Sequence, residues 1–296
     1  MNRIIPNDIL YIIAEYLSKY ELLSWVDKQK LDWGILSENP NAVCMLEDII
    51  ENKIENKIDW YRLSLNPNAI HLLEKNIDKV EWMWLSENQS AIHILEKNLD
   101  KVNFIHLSEN PNAITLLREN PDKICWRRLS GNPSAIHLLE QNLDKVDWMW
   151  ILKNLNAIHL IEDKYNSIPK ERLGNIHWFW HWLSKNTNAI HILEKNLDKV
   201  NWWMLSGNPD AIHIIEKNLD KIDWASLSGN PNAIHIIEKN LDKVNWSHLS
   251  GNPNAIHILE HVAKNDPKKI SWKWLSSNPS IFRRNTDKIY KQLTNI

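Results

Sequence analysis

Cysteine, glycine and phenylalanine are all scarce in this chain. Cys44 and Cys125 are the only cysteines among 296 residues, and they form no CxxC pair. That argues against a disulfide scaffold and against a structural zinc site. Neither sign of charge is in excess: 35 basic residues stand against 37 acidic ones, a formal charge of −2. The basic surplus of a duplex-binding protein is therefore missing, and nucleic acid is disfavoured as a partner even though Arg127, Arg128, Arg283 and Arg284 and exposed tryptophans could offer it contacts. No apolar run is long enough for a membrane span, and "MNRIIPNDIL" lacks the apolar core of a secretory signal. No HExxH, P-loop, GxGxxG or nucleophile elbow occurs. The recurring "DK" pair fits turn chemistry rather than acid–base work. The expectation is a cytoplasmic protein with no enzymatic activity, cofactor or metal.

Tryptophan, by contrast, is abundant at 17 residues, and one phrase is written again and again. "LSGNPNAIHILEHV" begins at Leu249, "LSGNPNAIHIIEKN" at Leu227 and "LSENPNAITLLREN" at Leu107. Self-similarity of this kind signals a repeat architecture. Units start at Trp33, Trp60, Trp82, Phe104, Trp126, Trp148, Trp180, Trp202, Trp224, Trp246 and Trp272, mostly 22 residues apart. The gaps after Trp33, Trp148 and Trp246 are longer.

Each unit reads as two short helices. Asp32, Asp59, Asn103, Asp147, Asn201, Asp223, Asn245 and Ser271 precede the column aromatic and suit an N-cap. The first helix is expected to run about seven residues, with Gly207, Gly229 and Gly251 supplying positive φ at its end. In "NPNAIH" the Asn caps a second helix and Pro takes its first position. That helix is expected to end on an Asn in the left-handed conformation, such as Asn218, with Leu219 folding back. Helices this short do not persist alone, so neighbouring units must stack. The expected fold is all-α: an α-solenoid of about eleven 22-residue two-helix repeats with helical N- and C-terminal caps. At ordinary helix spacing it would make a rod or arc on the order of 100 Å long. Arg284 and Asn285 replace apolar residues in the last unit, as a free outer face would require. The expected divisions are 1–32 for the N-terminal helices, 33–162 for a first stack and 163–179 for an insertion containing Pro169 and Gly174. A second stack follows at 180–278 and a C-terminal cap at 279–296.

Two columns of the repeat stand out. A His recurs at His71, His93, His137, His159, His191, His213, His235 and His257, on the face away from the apolar stripe of the second helix. Units about 10 Å apart cannot share one ion between adjacent imidazoles, so a solvated face is the expectation. The second column is the pair of positions after the column aromatic, which varies most between units. It supplies Tyr61, Arg62, Met83, Trp84, Arg127, Arg128, Met149, Trp150, Trp182, Trp203, Met204 and Trp274. Trp, Tyr, Met and Arg are enriched at protein interfaces. This column is the expected partner-binding surface; the competing reading is packing against the adjacent unit.

The N-terminal segment carries Ile9, Leu10, Ile13 and Leu17 on one amphipathic helix, with Leu22, Leu23 and Val26 expected on a second. Helices that merely cap the array would look the same. The segment also resembles an F-box. Ile5 and Pro6 match the opening dipeptide, Ile9, Leu10, Ile13 and Leu17 the first helical stretch, and Leu22, Leu23, Val26 and Lys28 the later one. The family's terminal Trp is replaced by Lys30. The phrase "LSxNPxAIxLLExN" resembles the short-repeat proteins of giant DNA viruses of amoebae, some of which join an F-box-like start to a repeat array. The resemblance implies that Ile5, Pro6, Ile9, Leu10, Ile13, Leu17, Leu22, Leu23 and Val26 would grip a Skp-type adaptor of a cullin–RING ubiquitin ligase. The array would then hold an unknown target protein, in the host cytoplasm if the chain is viral. The alternative is a scaffold for viral or host proteins with no ubiquitin role.

Overall fold

Ten two-helix units, and an eleventh whose first helix Trp272–Ser277 is followed by a 3-10 turn and a strand instead of a second α-helix, are present in a computed structural model that describes residues 6–167 and 177–294. The first helices are shorter than the pattern predicts, four to six residues in units such as Trp82–Leu85 and Trp246–Gly251. Their caps are largely as expected: the side chains of Asp32, Asp59, Asn103, Asp147, Asn201, Asp223 and Asn245 accept from backbone N–H groups of the first turn. Ser271 makes no such bond. In units such as that of Trp224 the segment after the recurring Asn is a 3-10 turn, Pro231–Ala233, before the α-helix begins at Ile234. The glycines do not adopt positive φ; Gly207 and Gly229 sit at −86° and −85°. Nor does the Asn ending the second helix. Its amide instead donates back to the carbonyl four residues earlier, as Asn218 does to Ile214 at 2.9 Å. A side chain thus satisfies an orphan carbonyl that a left-handed residue would otherwise have served. Among the described residues only Lys53 has positive φ.

Stacking is held by a buried polar ladder as well as by the apolar core. The Asn of "LSxN" accepts a backbone N–H through Oδ1 and donates both amide hydrogens to the preceding unit. Asn132, fully buried, bonds the carbonyls of Ser108 and Asn110, each at 3.0 Å. The Ser hydroxyl accepts the cap-residue N–H of the following unit, as Ser130 does from Asp147 at 2.9 Å. Each column aromatic lies under a Lys from the segment leading to the next unit, usually that of the "DK" turn, so that Lys145 sits 4.6 Å from the Trp126 ring centroid. The recurrent Lys therefore has a packing role beyond turn chemistry.

All three patterns continue across the two ends of the chain. Asn39 donates to the carbonyls of Ser276 and Asn278 at 3.0 and 3.1 Å. Ser276 Oγ accepts from Asp32 N at 2.8 Å, and Lys30 covers the Trp272 ring at 5.1 Å. Eleven Asn steps and eleven cation–π steps thus complete a circuit. The solenoid is a closed ring, not a rod or open arc. Closure gives the first and last units the neighbour that a linear array would deny them.

The terminal segments form a clasp over that junction. Strand β1 (Tyr20–Leu22) pairs antiparallel with β2 (Phe282–Arg284). The N-terminal helix Asn7–Leu17 packs on the C-terminal helix Thr286–Thr294, with Tyr11 and Tyr290 in edge contact at 5.6 Å. Asn285 exchanges bonds with Lys19 and donates to Glu21 at 2.7 Å. Arg284 and Asn285 therefore serve a neighbouring strand rather than a free polar face. The expected second N-terminal helix is also absent: Leu22 ends β1, and the buried Val26 lies in a turn.

First helices of adjacent units approach one another closely, whereas adjacent second helices scarcely meet. In a closed ring equal angular steps give spacings proportional to radius, so the first helices face the centre and the second helices the rim. The three long gaps are absorbed at the rim. There the second helices extend to Val43–Glu51, Ile158–Ser167 and Ile256–Asn265. Helix reaches into the expected insertion from both sides, as Ile158–Ser167 and His177–Leu183. Pro169 and Gly174 lie outside the described residues. Among the described residues no helix is long and apolar enough to cross a membrane.

Candidate interaction surface

The two variable positions after the column aromatic behave differently, because 100° of helix rotation separates them. The second of the pair points sideways, chiefly against the preceding unit. Arg62 reaches back to Glu38 at 2.8 Å, and Arg128 is paired with Glu109. Trp84 is held between Tyr61 and His106, at 4.3 and 5.2 Å between ring centroids. Trp150 is covered by Arg128 and Lys153, and Lys153 also touches Trp182. A Cβ at Gly131 or Gly251 would stand 3.6 Å from the Trp150 carbonyl or 3.4 Å from the Trp274 ring, ordinary contact distances, so these tryptophans pack closely on the preceding unit without requiring glycine there. Met204 is half-buried, while Trp274 remains 47% exposed beside His248. For most of this position the packing reading describes the geometry, and the signal was the partnered residue at the x of "LSxN" one unit earlier.

The first of the pair is the more exposed, on first helices that line the central opening. Tyr61, Met83, Ile105, Met149 and Trp203 are 41%, 44%, 54%, 46% and 54% exposed. Arg127 joins them with 65% of its side chain in solvent. Ile105 belongs to this column although attention to Trp, Tyr, Met and Arg passes over it. The band covers units two to eight; beyond it the same position holds Ala225 and Ser247. Eleven first helices about 8–10 Å apart enclose, after subtracting their own width, an opening on the order of 20 Å. That admits a helix or an extended segment of another protein.

On the rim the recurring His is exposed, as expected, and bonds across units. His213 Nε2 is 2.7 Å from Glu194, and His93, His159, His191, His235 and His257 repeat the pattern. His137 finds Arg118 where that Glu should be and turns to its own Glu140 at 3.3 Å. Exposed pairs of this kind contribute about 0–1 kcal/mol each.

One joint departs from the rule. Leu152 replaces the ladder Ser and Phe179 the capping residue, so a polar bond gives way to apolar contact. A cavity of ≈190 Å³ lies there, lined by Ile151, Leu152, Ile161, Lys164, Phe179 and the two tryptophans Trp148 and Trp178.

The residues matched to the F-box divide in the same way. Pro6, Ile9 and Leu17 are exposed on the N-terminal helix, and Leu10 and Ile13 are half-buried. Leu22, Leu23 and Val26 pack against the ring's core. Ile5 lies outside the described residues. No family model, curated protein or solved structure matches the chain.

Proposed function

We propose that the chain is a non-enzymatic protein-interaction ring that holds a segment of another protein against its inner wall. The observation that carries this reading is the exposed band of Tyr61, Met83, Ile105, Met149 and Trp203. Large apolar side chains left in solvent in five of the seven units from the second to the eighth are what an interface uses. The ring acts as a cytoplasmic scaffold for a viral or host protein. The test is a photo-crosslinking amino acid at position 203 of the full chain, compared with one at 247 on the bare arc. Specific adducts from 203 and none from 247 support the reading; equal yields, or none from either, refute it.

A second reading, a substrate receptor of a cullin–RING ligase, draws on the N-terminal helix. Ile9, Ile12 and Tyr16 are 46%, 63% and 88% exposed at helical spacing, as an adaptor-binding face would be. Leu22, Leu23 and Val26, by contrast, are engaged in the ring. Capture of a Skp-type adaptor by the full chain, abolished by Ile12→Asp, supports this reading, and no capture removes it. Trimming the chain to residue 37 would break the clasp and is not a usable control.

A further inference from the structure

The inner wall is not electrically uniform. In units one, three and four its acidic groups Glu38, Glu87 and Glu109 are each taken up by Arg62, His106 and Arg128. The first-helix segments 126–131, 148–153, 180–185 and 202–207 contain no acidic residue, yet they hold Arg127, Arg128, Lys153 and Lys185. Lys153 and Lys185 are exposed, and among the described residues no carboxylate pairs with either. Arg127 lies 5.3 Å from the Trp150 centroid, and the carboxylate it meets among the described residues is the cap residue Asp147, at 3.8 Å, which already accepts from two backbone N–H groups. Between these cations lie Met149, half-buried Trp150 and Trp182, and exposed Trp203.

Resting on the interaction reading above, we infer that this arc takes an acidic segment of a partner protein, one that alternates carboxylates with large apolar side chains. Arg127, Lys153 and Lys185 meet the carboxylates, and Met149 and Trp203 meet the apolar groups. Single-stranded nucleic acid is the lesser fit. Stacking of successive bases needs a run of free aromatic faces, and here cations occupy those of Trp150 and Trp182, leaving Trp203 open. Arg128 and Lys153 lie 4.9 and 4.0 Å from the Trp150 centroid, and Lys153 lies 4.6 Å from that of Trp182. A cation on a ring keeps its outward N–H groups for a carboxylate, whereas a covered ring cannot stack. Four units at about 8–10 Å spacing span about 25–30 Å, the length of eight or nine extended residues.

The experiment is selection of a random 12-residue peptide library, and in parallel a random single-stranded DNA 20-mer library, on the immobilised full chain. The expected outcome is a retained peptide pool rich in Asp and Glu beside Leu, Phe or Ile. Its affinity should fall at least tenfold on the triple variant Arg127→Gln, Lys153→Gln, Lys185→Gln, whose circular dichroism and melting show it folded. A retained peptide pool without acidic excess, or one insensitive to the triple variant, overturns the acidic-segment assignment and leaves the protein-binding reading intact. Retention of DNA alone, or of neither library, overturns both.

Discussion

Closure of the ring can be tested at one side chain. Asn39 accepts from Asn41 N through Oδ1 and donates to the carbonyls of Ser276 and Asn278 at 3.0 and 3.1 Å, in a fully packed setting. Asn39→Asp keeps the accepting oxygen and its capping bond. It removes both donors and points a carboxylate oxygen at two buried carbonyls. Each buried group left unsatisfied costs about 1–3 kcal/mol, so the change should cost about 2–6 kcal/mol before repulsion is added. Asn132→Asp, in mid-array, removes the same two bonds and sets the scale. In an open rod position 39 would face water and Asp would cap as well as Asn, with a change near zero. Urea unfolding followed by tryptophan fluorescence measures both variants. Similar losses mean a ring; a normal midpoint for Asn39→Asp beside a large loss for Asn132→Asp would refute closure.

Further outcomes follow from the same contacts. Trp84→Ala and Trp150→Ala should each lower stability by about 2 kcal/mol or more, since each ring packs on the adjacent unit, whereas Trp203→Ala should stay within about 0.5 kcal/mol; equal melting temperatures for all three would contradict the division of the variable column. Ser130→Ala strands the N–H of Asp147 and should cost about 1–3 kcal/mol in a urea melt; no change would mean the hydroxyl ladder contributes nothing. Glu21 is held below the usual carboxylate range, first by the Asn285 amide and then by Lys288. A depressed carboxyl stabilises the fold above its unfolded pKa and loses that contribution as pH falls through the folded value, so the clasp should loosen only below about pH 4. The melting-temperature gap between the wild type and Glu21→Gln should therefore close in acid, and a gap that persists to pH 2.5 would exclude this role.

Much of the wall's chemistry was legible unit by unit. Comparing units exposes the variable column, and half of it, Tyr61, Met83, Arg127, Met149 and Trp203, stands in solvent as a helical angle away from the apolar stripe requires. Its other half, Trp84 and Trp150 among them, looked equally external. A helical angle says that a side chain leaves its own core, not that a neighbour stands beside it. The buried Asn was recognised for its oxygen, because capping is local, and not for its amide, because those two acceptors are 22 and 24 residues away.

The sequence by itself determined the period, the helix pair, the caps and the apolar stripe, since each depends on contacts within a unit or between adjoining units. It also holds a sign of closure: Lys30 stands three residues before Trp33, as Lys79 does before Trp82, although residues 1–29 contain no repeat unit for it to cover. Only the tertiary structure decided that the array returns on itself. A turn of about 33° per unit, one eleventh of a circle, arises from the small difference in spacing between inner and outer helices. No residue encodes that angle; it is the sum of side-chain volumes on two faces, repeated eleven times. The clasp then joins segments that are neighbours in space and some 260 residues apart in the chain.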